Sequence, residues 1–166
     1  MASGSDSGAF LGHGSLKNQR GDTVSAQELH GKSVGLLFCD GNNPRCRSIT
    51  PFLIQFYNSV NGPGTAPKIE IVYVSCDATR EAFDNNVRRM PWLHLDYDDS
   101  LLPVLRHRYN VIECDSEYGN FNSVEIPSII VVNSHGSEIQ RFPLYHGREQ
   151  SAQALRRWDW RNCLFA

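Results

Sequence analysis

Five cysteines, at positions 39, 46, 76, 114 and 163, are the residues best equipped for chemistry in this chain. The stretch FCDGNNPRCRSITP, residues 38–51, puts Cys46 at the start of a run with helical periodicity, just after a continuous apolar run. A thiolate there can attack a disulfide sulfur, and a helix N-terminus with Arg45 and Arg47 alongside favours the thiolate. A dithiol pair of the C-x-x-C kind needs a second cysteine three residues earlier, and that position holds Asn43. An amide has no comparable nucleophile, so standard dithiol exchange is not expected at this site.

Other thiols can partner Cys46. Cys39 lies at the end of the apolar run, and a disulfide needs the two Cα atoms within about 7 Å. A strand-turn-helix loop can bring them that close, or Cys39 can simply point into the core. Cys46 can also act alone, or be a buried inert thiol. Cys114 is a further candidate partner, and Cys76 reads as a packed small hydrophobe.

Other chemistries find little support. The six histidines are scattered, none at metal-ligand spacing with cysteine, so neither a metal nor a cofactor is expected. No glycine-rich phosphate loop occurs. The acids of DYDDS, residues 96–100, read as a solvated helix cap, with a cation site as the weaker alternative. In RRWDWRN, residues 156–162, a helix would put Trp158 and Trp160 about 200° apart. One then packs on the core, and the other, among arginines, has the composition of an interface anchor.

The elements that must position these groups follow from periodicity and punctuation. Ser25 caps a short helix ending near Gly31. SVGLLFC (33–39) is a fully buried strand. Residues 46–60 form a helix that Pro51 should kink. KIEIVYVS (68–75) is a second strand, and Asp77 caps the helix after it. MPWLHLDYDD contains a short strand, SLLPVLRHRYN is a helix, and IPSIIVVN with SEIQRFP forms a hairpin. EQSAQALRRWDWRNCLF closes the chain as a helix. Strands separated by helices imply a parallel core with antiparallel edges.

With 166 residues, 40% apolar and 20% charged, the chain suits one core-bearing domain. Residues 1–20 read as a polar N-terminal arm and 21–166 as the domain. The net charge of -2 provides no global attraction for nucleic acid or anionic lipid. No apolar run reaches the roughly 20 residues a membrane helix needs. The start of the chain lacks the pattern of a secretory signal, and its odd cysteine count suits reduced thiols in an intracellular reducing compartment, mitochondrion or cytosol.

Several motifs line up on one family. CRSITPFLIQFY (46–57), VYVSCD (72–77), Phe83 followed at fixed spacing by MPW (90–92), and EIPS (125–128) together resemble the tryparedoxin and nucleoredoxin branch of the thioredoxin fold. The resemblance spans roughly residues 22–160. It implies an α/β three-layer sandwich with a central mixed sheet flanked by helices, and a cis Ile126–Pro127 bond. The family's W-C-P-P-C site falls on Asn42-Asn43-Pro44-Arg45-Cys46. Tryptophan is thus replaced by Asn42 and the attacking cysteine by Asn43, while Cys46 keeps the resolving position. The chain also departs from the family in an insertion, IECDSEYGNFNS (112–123), beside the groove where the family binds substrate backbone.

These departures imply a thioredoxin-like protein that has lost exchange and works through protein contacts in a multi-subunit complex. The insertion, with Tyr118 and Phe121, and the last segment, with Trp158 and Trp160, are the candidate contact regions, though the insertion also reads as a plain surface loop. By analogy with the organisms that carry tryparedoxins, a mitochondrial assembly is the expected host, with peripheral association to a membrane complex among the options. The alternative is a residual oxidoreductase using Cys46 alone or with Cys39 or Cys114.

Overall fold

The structure is a computed structural model that describes residues 10–11, 15–111 and 125–166. Six strands form one mixed sheet in the order β1-β4-β3-β2-β5-β6. They are β1 (Leu16–Lys17), β2 (Ser33–Cys39), β3 (Ile69–Ser75), β4 (Leu93–Leu95), β5 (Ser128–Val132) and β6 (Glu138–Pro143). β2, β3 and β4 run parallel, while β1, β5 and β6 each pair antiparallel with their neighbours. Among the described residues four α-helices complete the α/β fold: α1 (Pro44–Asn61), α2 (Arg80–Val87), α3 (Leu101–Arg108) and α4 (Arg148–Leu155).

The central strands earn their place by composition. Every residue of β2 and β3 is buried, which demands side chains that need no water on either face. Ser25 caps a 3-10 turn, Ala26–Leu29, as its position predicts. α1 continues through Pro51 to Asn61. Pro103 sits in the first turn of α3, where a missing N–H costs little.

Glu70, on β3, is the costly residue of this sheet. Burial pushes its carboxyl up, against hydrogen bonds from the Tyr57 hydroxyl (2.9 Å) and the Ile71 N–H (3.0 Å) and the charge of Lys32. A carboxyl raised in the folded state holds its proton more tightly there, so stability falls as pH climbs from the unfolded value through the folded one. Glu70→Gln keeps an oxygen for Tyr57 and Ile71 and removes that loss. Urea unfolding between about pH 4 and pH 7 should show the variant gaining on the wild type as pH rises; a constant difference would contradict this.

Two expectations are corrected, at the closing helix and at Asp77. Within the N-terminal arm, residues 10–11 and 15–20 lie against the domain: Leu11 and Leu16 are buried, Leu16 pairs with Leu95, and Phe10 packs on Phe165. The apolar side chains within a Gly/Ser-rich stretch are what hold it down. The closing helix stops at Leu155, and residues 156–166 turn irregularly. The Gln140 side chain stops it by bonding the Arg157 carbonyl (2.8 Å) and the Asp159 N–H (3.0 Å). Asp77 does not cap α2; Thr79 does, through the Ala82 N–H.

Trp158 and Trp160 therefore do not occupy opposite sides of a helix. Trp158 is 2% exposed and donates its Nε1–H to Ser33 Oγ (2.8 Å). It stacks on Phe56 and lies over Gly35, where an added Cβ would come 2.9 Å from its ring. It belongs to the core and is withdrawn from the candidate contact surface. Trp160 is half-buried, edge-on to the same Phe56.

Candidate functional site

The cysteine-bearing turn sits where β2 ends and α1 begins. Asn43 is the N-cap of α1: its side-chain oxygen accepts from the Arg45 N–H (2.9 Å) and the Cys46 N–H (3.3 Å). Pro44 follows at the first helical position, where its fixed φ suits helix entry. The residue that the resemblance sets against the family's attacking sulfur thus closes two backbone donors. Asn43→Ala should cost about 1 kcal/mol and Asn43→Asp almost nothing, since aspartate caps equally well. Denaturant midpoints check this, and equal losses for both would overturn the capping role.

Around Asn43 the turn is fixed by Asp40, whose carboxylate accepts from the Asn42 N–H (2.9 Å) and whose carbonyl accepts from the Asn43 N–H (3.0 Å). Burial raises the Asp40 carboxyl above its usual range, the Asn42 N–H opposing and the nearby Asp77 charge adding to the rise. Asn42, in the tryptophan position, is exposed. Arg45 reaches Glu125 at 3.6 Å across partly exposed surface, linking the turn to the Ile126–Pro127 loop. Such an exposed pair is worth little energetically. The Ile126–Pro127 bond is cis, as the resemblance implies, and both residues are buried.

Asp77, misread as a cap, anchors this turn from below. It accepts from the Gly41 N–H (2.6 Å), from Ser75 Oγ (2.7 Å) and from the Tyr73 hydroxyl. Asn86 donates to Tyr73 (2.8 Å), so α2 is tied into the same network. Burial, with the nearby Cys39 and Asp77, pushes the Tyr73 hydroxyl well up and keeps it protonated as a donor. The acid closing VYVSCD was the only sequence signal for this network; its partners become neighbours only through the pairing of β2 with β3.

The thiols are deeply placed. Cys39 is fully buried, Cys46 is 1% exposed, and Cys76 is buried; all are free thiols. The Asp40 N–H points at Cys46 Sγ (3.3 Å), which brings Cys46 near Cys39, the residue bonded to that amide. Burial pushes the Cys39 thiol well up, and its contact with Cys46 adds to the effect. Cys163, half-buried, is also raised by burial. Cys114, Tyr118 and Phe121 lie outside the described residues, as does all of the 112–123 segment.

A groove runs beside the turn, between Pro44, Arg45 and Ser48 of α1 and Leu144, Tyr145 and Arg148 on the far wall. The acids at 96–99 are accounted for: Arg80 pairs with Asp98 (2.7 Å) and Asp96 (3.7 Å), and Asp99 accepts from the Leu101 N–H (2.9 Å) at the start of α3. Among the described residues no group of three or more His, Cys, Asp or Glu side chains is arranged to hold a metal.

A parallel β2-β3-β4 core, a helix opening at a thiol-bearing turn and a cis-proline loop facing that turn define a thioredoxin-type protein. A family model described as thioredoxin-like matches residues 31–138, and the chain belongs to that family. Within it the chain is tryparedoxin- and nucleoredoxin-like. It is 31% identical over 134 residues to the probable nucleoredoxin 2 of Oryza sativa subsp. japonica, covering 80% of this chain and 30% of the relative. It is 33% identical over 126 residues to the nucleoredoxin of Danio rerio, covering 76% of this chain and 27% of the relative. The chain thus spans less than a third of the length of these curated relatives. Among solved structures, the tryparedoxin of Trypanosoma brucei is 26% identical with a TM-score of 0.63, covering 89% of this chain and 92% of that one. The thioredoxin of Wuchereria bancrofti is 29% identical with a TM-score of 0.65, covering 89% and 95%.

Proposed function

We propose that this thioredoxin-fold chain has lost dithiol-disulfide exchange and serves as a structural or interaction subunit of a larger assembly. The observation that carries this is Asn43, which supplies a helix cap where exchange requires an exposed thiolate. The 1% exposure of Cys46 supports it, because a protein disulfide cannot reach a sulfur so enclosed without opening the turn. The contacts would come from the 112–123 segment, with Tyr118 and Phe121, and from Trp160. A mitochondrial complex is the host we favour, with the cytosol as the alternative compartment. The test is reduction of a model protein disulfide by the full chain in a dithiol-regenerating system. The expected rate equals the protein-free background, and a rate that scales with protein concentration would overturn the proposal.

A second reading is residual thiol chemistry by Cys46, alone or with Cys39 or Cys114. The closeness of Cys39 and Cys46 favours it. It requires Cys46 to be alkylated in the folded protein faster than burial allows.

A further inference from the structure

We propose that Cys39 and Cys46 are a modification site: a small hydroperoxide converts them to a reversible intramolecular disulfide. The pairing differs from the family's, in which the two sulfurs bracket two residues; here they bracket the whole 40–45 turn. The geometry rests on the Asp40 amide. Its nitrogen lies 3.3 Å from Cys46 Sγ and is bonded to the carbonyl carbon of Cys39. Cys46 Sγ therefore stands one peptide unit from the Cys39 Cα, within the reach a disulfide needs. Cys39 and Cys46 are both buried in the same core cluster, so their side chains meet no solvent between them.

The chemistry balances without an outside thiol. Cys46 sulfur attacks one oxygen of hydrogen peroxide, the O–O bond breaks, and one water leaves with a sulfenic acid on Cys46. Cys39 sulfur then attacks Cys46 sulfur, the S–O bond breaks, and a second water leaves. Two thiols lose two electrons, the peroxide gains them, and the two thiol protons end in the waters. Cys46 is the attacking residue because it lies in the first turn of α1, at the edge of the buried cluster, whereas Cys39 lies at the end of an inner strand. The 1% exposure of Cys46 excludes a protein disulfide, whereas hydrogen peroxide, little larger than water, is the oxidant small enough to reach it when the turn breathes. The inference is therefore independent of the assembly role and compatible with absent exchange.

The folded full chain is treated with hydrogen peroxide, then denatured, alkylated and peptide-mapped without reduction. The expected product is a Cys39–Cys46 cross-link, two hydrogens lighter than the free pair, erased by dithiothreitol and missing in Cys46→Ser. Should that variant not fold, the wild-type map decides alone. Alkylated Cys39 and Cys46 under conditions that oxidise Cys163, or a cross-link from Cys39 to Cys76, would overturn the proposal. A positive exchange assay would remove the proposed loss of exchange and leave this cross-link standing, so the two fail separately.

Discussion

Asn43→Cys is expected to give the protein the dithiol-disulfide exchange activity that the wild type is proposed to have lost. The substitution creates Cys-Pro-Arg-Cys at the opening of α1, with the new sulfur at the N-cap. There the N–H groups of Arg45 and Cys46, which now bond the Asn43 oxygen, would face it. Helix N-termini lower thiol pKa values, and the thiolate is the attacking species. Cys46, three residues on, holds the position that the resemblance assigns to the resolving thiol. The cost is the cap, about 1 kcal/mol, which a domain of this size tolerates. Reduction of a model protein disulfide should rise from background to a rate proportional to enzyme, and Cys46→Ser in the same background should trap a mixed disulfide with the substrate. An unchanged rate in folded Asn43→Cys protein would mean that Asn42, Arg45 or the 112–123 segment also blocks exchange, and Asn43 would not be the decisive residue.

Trp158→Ala should produce the largest loss of stability. The ring is 2% exposed, stacks on Phe56 at 6.0 Å, packs on Phe142 at 6.2 Å and fills the notch over Gly35. Its Nε1–H satisfies Ser33 Oγ, so truncation leaves both a cavity and a changed polar contact. Large-to-small changes of this kind cost about 3–5 kcal/mol, or roughly 10 °C in melting temperature for a domain of this length. Trp158→Phe should recover most of it by keeping an aromatic ring in the notch. Trp160→Ala, at a half-buried position, should cost much less and instead weaken partner capture. Equal stability losses for Trp158→Ala and Trp160→Ala would contradict this division between core and surface.

The tryptophans also mark where sequence stopped being informative. RRWDWRN carries no glycine or proline to end a helix, and what ends it is Gln140 on β6, close in space but distant in sequence. β2 and β3 were legible because a strand buried on both faces leaves a continuous apolar run. β1 was not, because two residues of edge strand among glycines and serines leave no period to read. At the site, the absence of a cysteine three residues before Cys46 was plain from residue type alone. Its replacement by a cap could have been foreseen, since asparagine before a proline at the first helical position is a capping signature. Asp77 misled because Asp before a helical run also reads as a cap; Tyr73, Ser75 and Gly41 outcompeted that role through tertiary contacts. The nearness of Cys39 to Cys46 was open from spacing, and it follows from the turn in which the Asp40 N–H meets Cys46 Sγ.

A chain that works by association, as proposed, carries that role in the native size of the endogenous protein. The protein, tagged at its C-terminus, is followed by size-exclusion chromatography of a gently solubilised extract. The expected result is elution in a large complex whose co-eluting proteins identify the assembly. Elution near 18.7 kDa, the mass of one chain, would contradict it.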